Sequence, residues 1–451
     1  MRTFLAAFLL SAGLASAATV DSVVVRQRWP WSRKVDIDYT LVTDKPCQVV
    51  VNVYRDGTLL PMPDAAFSGD RLCVTGAKLN TIVFDPTLTP YDGEVLENLR
   101  FELVPREFPP YLIIDVSKDK TDPAQVTWVT AYDLTNSASA YGAWTWGSTF
   151  HTGPEVDPAW QDAIVWTGVT NSTAYKKSKV VMRYVPPGTY TMGLDMEGLG
   201  IPSGDRFPAA WNMPWYTIYE FPHRVTLTKG FYVAVFPVTR NQHAYITTGD
   251  ETHLSYGNET ANRVTYNQIR GSDLGTNWPV SASIDADSVL AKWREKTGFT
   301  TLDLPTEAQW EYACRAGTTG MFHDGTSTIS ENGATSETLA ELAWYRANGD
   351  STYHNAGLKR PNGWGLYDML GNHDEWCHDW RKFSLGTAAV TDPRGAATPD
   401  TSGGSGRVVR GGSVWNEAKN VRSSSRGARS PDTTDSSVLP TLCYRLFLTL
   451  E

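Results

Sequence analysis

Between Val20 and Pro105 the chain is a succession of short β-branched runs, none with the three-to-four-residue period of an amphipathic helix. Val23–Val25, Val35–Tyr39, Gln48–Tyr54, Thr81–Phe84 and Arg100–Val104 read as strands, several alternating apolar with polar residues as half-buried strands do. Asp56-Gly57, just after the third run, is a hairpin signal. This spacing predicts an all-β sandwich of immunoglobulin or fibronectin type over residues 18–105. Pro109-Pro110 stops both helices and ladders, so 106–178 reads as a linker and irregular lead-in. Within that stretch Tyr111–Val116 and Gln125–Val129 are strand-like.

Residues 1–17 have the pattern of a secretory leader. Arg2 precedes an apolar run from Phe4 to Leu14, and Ala15-Ser16-Ala17 supplies a small-x-small site, with cleavage expected after Ala17. The run is shorter than the roughly 20 residues a membrane-spanning helix needs. No other long apolar stretch follows, so the expectation is a secreted or periplasmic protein that is not integral to a membrane. A net charge of −9 with scattered Lys and Arg offers no basic field for nucleic acid. Five cysteines leave at least one without a partner in the chain. Cys47 and Cys73, close in the β region, are the expected pair, while Cys314, Cys377 and Cys443 lie far apart. No CxxC or CxxH spacing supports a zinc site.

The second half mixes strands, helices and long glycine-rich loops. Val180–Val185 and Thr189–Gly193 read as strands, and His223–Leu227 with Gly230–Val233 as a hairpin. Thr239 is placed to cap a helix running through Ile246, Ser288–Lys296 forms a second, and Pro305 opens a third at Thr306–Ala313. In the third helix Trp310, Ala313 and Cys314 make one buried stripe. Glu307, Glu311 and Arg315 read as i,i+4 support worth roughly 0.2–0.5 kcal/mol. His373, Asp374, His378 and Asp379 read as a solvated loop, and His223 as a donor to a backbone carbonyl.

Several blocks carry a family signature. They are PPGTYTMG (Pro186–Gly193), FPHRVTLTKGFYVAVFPVTRNQHAYI (Phe221–Ile246), LPTEAQWEYACRAGT (Leu304–Thr318), NGWGLYDMLGNHDEWCHDW (Asn362–Trp380), RVVRGGSVW (Arg407–Trp415) and RGARSPDT (Arg426–Thr433). In this order they resemble the formylglycine-generating enzyme, or sulfatase-modifying factor, family. The resemblance implies an irregular α+β, C-type-lectin-like domain over residues 179–451. It also implies a structural calcium held by the side chains of Asp368 and Glu375 and the carbonyls of Gly371 and His373. Carboxylates flanking a glycine turn suit a hard cation; the alternative is a loop closed by hydrogen bonds of Asp368 and Asn372.

The family's reaction oxidises a substrate cysteine with O₂ at copper held by two thiolates, which select Cu(I). The matching positions here are Asn416 and Val421, so copper is not expected. A third family cysteine, bonded to the match of Cys314, corresponds to Arg426, and the terminal Gly-Phe-Arg becomes Cys443-Tyr444-Arg445. A three-histidine iron site, found in other branches, would need a helical-bundle domain that this sequence lacks. The resemblance therefore implies an exported family member acting as a non-copper, lectin-like binding or structural module. Ser413, Trp415, Asn416, Arg422 and Arg429 would line its groove, and a polypeptide, glycan or small polar ligand would be the partner. The alternative is a formylglycine-generating oxidoreductase that matures sulfatases, or performs another oxidation, with a different site.

Overall fold

The computed structural model describes residues 18–43, 45–76, 78–136, 140–151, 163–194, 220–249, 258–271, 284–327, 337–396, 398–399, 406–432 and 441–450. The leader at 1–17 lies outside the described residues. Among the described residues no helix is long and apolar enough to cross a membrane.

The first strands are β1 (Thr19–Gln27), β2 (Val35–Val42), β3 (Gln48–Arg55), β4 (Thr58–Leu60), β5 (Phe67–Gly69), β6 (Leu79–Phe84) and β7 (Leu99–Arg106). They form two antiparallel sheets, ordered β1-β2-β6-β5 and β4-β3-β7. Alternation sends Ile37, Tyr39, Ile82 and Phe84 from one sheet and Val49, Val51, Val53 and Phe101 from the other into a shared core. Asp56 and Gly57 take positive φ (48° and 83°), which closes the β3–β4 hairpin as their sequence requires.

Cys47 and Cys73 are not built to pair. Cys47 bridges Val74 in antiparallel fashion, so Val74 rather than Cys73 stands directly opposite it, and Cys73 sits in a bend with φ 56°. Cys47 packs into the sandwich core, whereas Cys73 lies against the core of the second half. Both are free thiols.

Two strands of the lead-in, β8 (Tyr111–Asp115) and β9 (Val126–Val129), precede a short ribbon of β10 (Thr145–Trp146) and β11 (Ile164–Val165). Then come β12 (Lys179–Val185), β13 (Gly188–Met192), β14 (His223–Leu227), β15 (Phe231–Ala234) and β16 (Leu302–Asp303). The last are β17 (Asp374–Trp380), β18 (Val390–Thr391), β19 (Arg407–Arg410), β20 (Arg426–Arg429), β21 (Leu442–Cys443) and β22 (Phe447–Thr449). The central sheet runs β16-β22-β15-β12-β8-β9, so it extends upstream of Lys179 to Tyr111. The expected hairpin between β14 and β15 does not form. β14 pairs with β13 and β18, and β15 with β12 and β22, because both faces of β15 are buried and it belongs at the sheet's interior.

The helices obey their caps. Thr239 and Gln242 form a capping box on Arg240–Thr248, Ser288 caps Val289–Thr297, and Thr306 with Gln309 boxes the central helix Glu307–Arg315. Val289, Leu290 and Trp293 bury the inner face of the second helix.

Candidate functional site

The central helix departs from its amphipathic reading: all nine of its residues are buried. Its carboxylates are therefore committed to protein cations. Glu311 accepts from the guanidinium of Arg315 at 2.8 Å and from that of Arg410. Glu307 receives two N–H bonds from Arg426, at 2.5 and 2.7 Å, and its backbone N–H donates to Asp379 at 2.8 Å. Arg410 also donates to the carbonyls of Ser423, Ser424 and Ser425 at 3.0, 2.7 and 2.6 Å. It thereby ties the central helix to the segment that follows the Gly411-Gly412-Ser413 turn. Nearby, Arg422 forms a fork on Glu220 at 2.7 and 2.9 Å. The earlier figure of a few tenths of a kcal/mol does not apply, since breaking a desolvated pair costs about 3–5 kcal/mol.

The groove candidates separate accordingly. Ser413, Trp415 and Asn416 share one turn, in which Asn416 Oδ1 accepts from Ser413 N and Oγ, both at 2.8 Å. Trp415 donates its indole N–H to Tyr353 Oη at 3.1 Å, and Tyr353 stacks on His373 with centroids 4.0 Å apart. Arg422 is wholly buried in its fork, so it is a structural ion rather than a groove donor. Arg429 stands at the exposed end of β20. Val421 is fully buried in the main core cluster.

These contents decide whether copper fits. A copper dithiolate needs two ionisable sulfurs at positions 416 and 421; one is an amide already bonded within its turn, the other an aliphatic side chain in a dry core. The cysteines elsewhere offer no substitute, because Cys47, Cys314, Cys377 and Cys443 are buried and Cys73, partly buried, lies in the first half of the chain. Desolvation pushes the Cys314 thiol up to about 12 and those of Cys377 and Cys443 well above their ordinary value. The residues present do not fit the group.

The loop expected to hold calcium is built around a different cation. Both Glu375 oxygens accept from Arg445, whose bonds to them span 2.6–3.1 Å, and Oε2 also accepts from the Trp310 indole at 2.8 Å. Arg445 spends its other N–H groups on the carbonyls of Ala234, Val235 and Tyr367. Asp368 accepts from Gly357 N at 2.6 Å and feels the positive charges of Arg445 and Lys176. Gly371 has φ +76°, and a Cβ there would lie 2.2 Å from the Trp344 carbonyl oxygen. Asp368, Gly371, His373 and Glu375 thus share one loop, but the Glu375 carboxylate is satisfied by Arg445, and the four do not fit calcium as a set. The residues that sequence reading missed, Arg445 and Trp310, lie 70 and 65 residues from Glu375. No local pattern in the sequence connects either of them with Glu375.

The presumed solvated cluster is likewise interior, because every residue of β17 is buried. The His373 ring sits between Thr260 Oγ1 (2.7 Å) and Asn262 Nδ2 (3.3 Å), and burial pushes it down to about 3. Asp379 is raised to about 7, first by burial and then by Glu307. His223 donates to the Phe221 carbonyl at 3.0 Å, as expected.

Residues 167–438 match the model of the sulfatase-modifying factor enzyme 1-like domain. The chain is similar to the formylglycine-generating enzyme of Streptomyces coelicolor, with 33% identity over 163 residues, covering 35% of this chain and 48% of the relative. It is also similar to the serine/threonine-protein kinase Pkn1 of Chlamydia trachomatis, with 27% identity over 234 residues, covering 48% of this chain and 33% of the relative. The chain thus spans about half the length of the curated relatives it matches, or less. Among solved structures, PvdO from Pseudomonas aeruginosa aligns with a TM-score of 0.42 at 21% identity over 59% of this chain and 93% of that one. Treponema denticola variable protein 1 aligns with 0.41 at 23%, over 60% and 95%. Since the domain match covers more than half of its length, this chain belongs to the sulfatase-modifying factor enzyme 1-like family.

Proposed function

We propose that this chain is an exported family member in which the active-site framework persists as a binding or structural scaffold without copper chemistry. The observation that carries this reading is the pair of residues at the metal positions. Asn416 closes a turn on Ser413, and Val421 is 0% exposed within the core. The ties of Arg410 to Glu311 and to the carbonyls of Ser423–Ser425, beside the Gly411-Gly412-Ser413 turn, support a framework kept in place around them. Trp415, with Tyr353 and His373 behind it, offers an aromatic face beside Ser413 for a peptide, glycan or small polar partner. The N-terminal strand order β1-β2-β6-β5 opposite β4-β3-β7 supports an immunoglobulin-type sandwich, whose first sheet runs A-B-E-D.

The test is O₂ consumption by copper-supplemented protein in the presence of a cysteine-containing peptide. This reading expects no consumption above the peptide-only control. Turnover that scales with enzyme and converts the cysteine would establish the oxidoreductase alternative instead.

A further inference from the structure

We propose that the β1–β2 hairpin tip is a stacking platform for a neutral polysaccharide chain, with Trp29 and Trp31 as its plates. The two strands stay in register as far as Gln27↔Val35, and Arg28 N donates to Lys34 O at 2.9 Å to close the tip. Trp31 N and Ser32 N both donate to Arg28 O, at 3.1 and 3.2 Å, so the loop is an ordered turn. It nevertheless leaves Trp29 66% and Trp31 89% exposed, the latter more than any other large apolar side chain among the described residues. Indoles are large apolar groups enriched at interfaces, and two exposed at one ordered tip point to an interaction site.

Charge selects the class of partner. Each cation of the tip and of the strip leading to it is already matched. Arg26 pairs with Asp38, Arg28 with Asp36 at 2.6 Å, Arg33 with Asp92 at 2.7 Å and Lys34 with Asp85 at 3.0 Å. No surplus positive charge is available there for phosphate, sulfate or an anionic lipid surface, which cationic side chains would have to attract. The outer face behind the tip mixes polar pairs, with Ser22 and Thr40 hydroxyls bonded at 2.9 Å and Thr81 Oγ1 donating to Asp38 at 2.7 Å, with the exposed apolar side chains of Val24, Val42 and Leu79 set among them. These three are interrupted by Ser22, Thr40, Asp38 and Thr81, so the face is less suited to a lipid bilayer than to a hydroxyl-rich chain. A pyranose presents weakly positive C–H faces that suit the electron-rich faces of indoles. Its ring hydroxyls suit paired carboxylates and guanidinia such as those of Asp36 and Arg28.

The experiment is native affinity electrophoresis of the full chain through gels containing a soluble β-glucan, a xylan or a galactomannan, alongside co-sedimentation with vesicles of phosphatidylcholine, with and without phosphatidylserine. The expected result is retardation by at least one neutral polysaccharide, unchanged by 0.5 M salt. Trp29→Ala with Trp31→Ala should weaken it at least tenfold, while Trp31→Phe, which keeps a ring, retains most of it. The tip lies outside the core, so an unchanged melting temperature certifies that the double variant is folded. Absence of retardation by all three polymers overturns the proposal. So does retardation that the double variant leaves intact or that salt abolishes, and so does tryptophan-dependent vesicle binding in place of retardation.

Discussion

Single residues carry much of the internal charge balance. Glu311 serves Arg315 and Arg410 at once in a wholly buried setting, so Glu311→Ala strands two guanidinia. Urea unfolding should show a loss of about 3–5 kcal/mol; a loss under about 1 kcal/mol would mean that water reaches the network. The sequence exposed the pair Glu311–Arg315 through its spacing, but Arg410 lies 99 residues from Glu311, and no local pattern connects them. Arg422 was misjudged for the same reason. An arginine near a glycine turn reads as a surface donor until its partner, Glu220, is seen beside it.

Whole elements were more legible than their partners. The capping boxes at Thr239, Thr265 and Thr306 are local chemistry, and the first and last of these helix starts could be placed from sequence. The longer strands of the first two-thirds of the chain were also readable, whereas the short β4, β5, β10 and β11 were not, and neither was pairing: β14 and β15 are consecutive yet enter different sheets. Thr306→Ala should cost the central helix about 0.5–2 kcal/mol by removing a side-chain acceptor from Gln309 N. Thermal unfolding checks this, and an unchanged curve would show that packing alone holds the helix end. The loop Asp368–Glu375 gives a second expectation at this scale. With Arg445 closing it, a chelator should leave the melting temperature unmoved, while Arg445→Met should lower it sharply by leaving Glu375 buried and unmatched. A chelator-dependent drop in the parent would show that calcium is held there after all.

The whole molecule titrates through groups that burial has shifted. His151, His243 and His323 are lowered to about 4, His373 to about 3, and His378 well below its ordinary 6.5, each first by burial. Below pH 6.5 the unfolded chain binds protons that these rings refuse in the folded state, so their contribution is lost as pH falls from 6.5 toward 4. Asp368 and Asp374, raised to about 6, and Asp379, raised to about 7, act in the opposite sense. They keep protons in the folded state between about 3.8 and those values, so their contribution declines as pH rises through that window. Five imidazoles outweigh three carboxylates, and the urea midpoint should fall from pH 6.5 to pH 4. A midpoint that is flat or rises toward pH 4 would contradict these shifts. The central claim concerns the lost copper ligands, and Cu(I) competition titration tests it most directly. The parent protein should show no tight site, whereas Asn416→Cys with Val421→Cys should gain one, because the turn and its arginine framework are intact. Tight one-to-one Cu(I) binding by the unmodified protein would contradict the account.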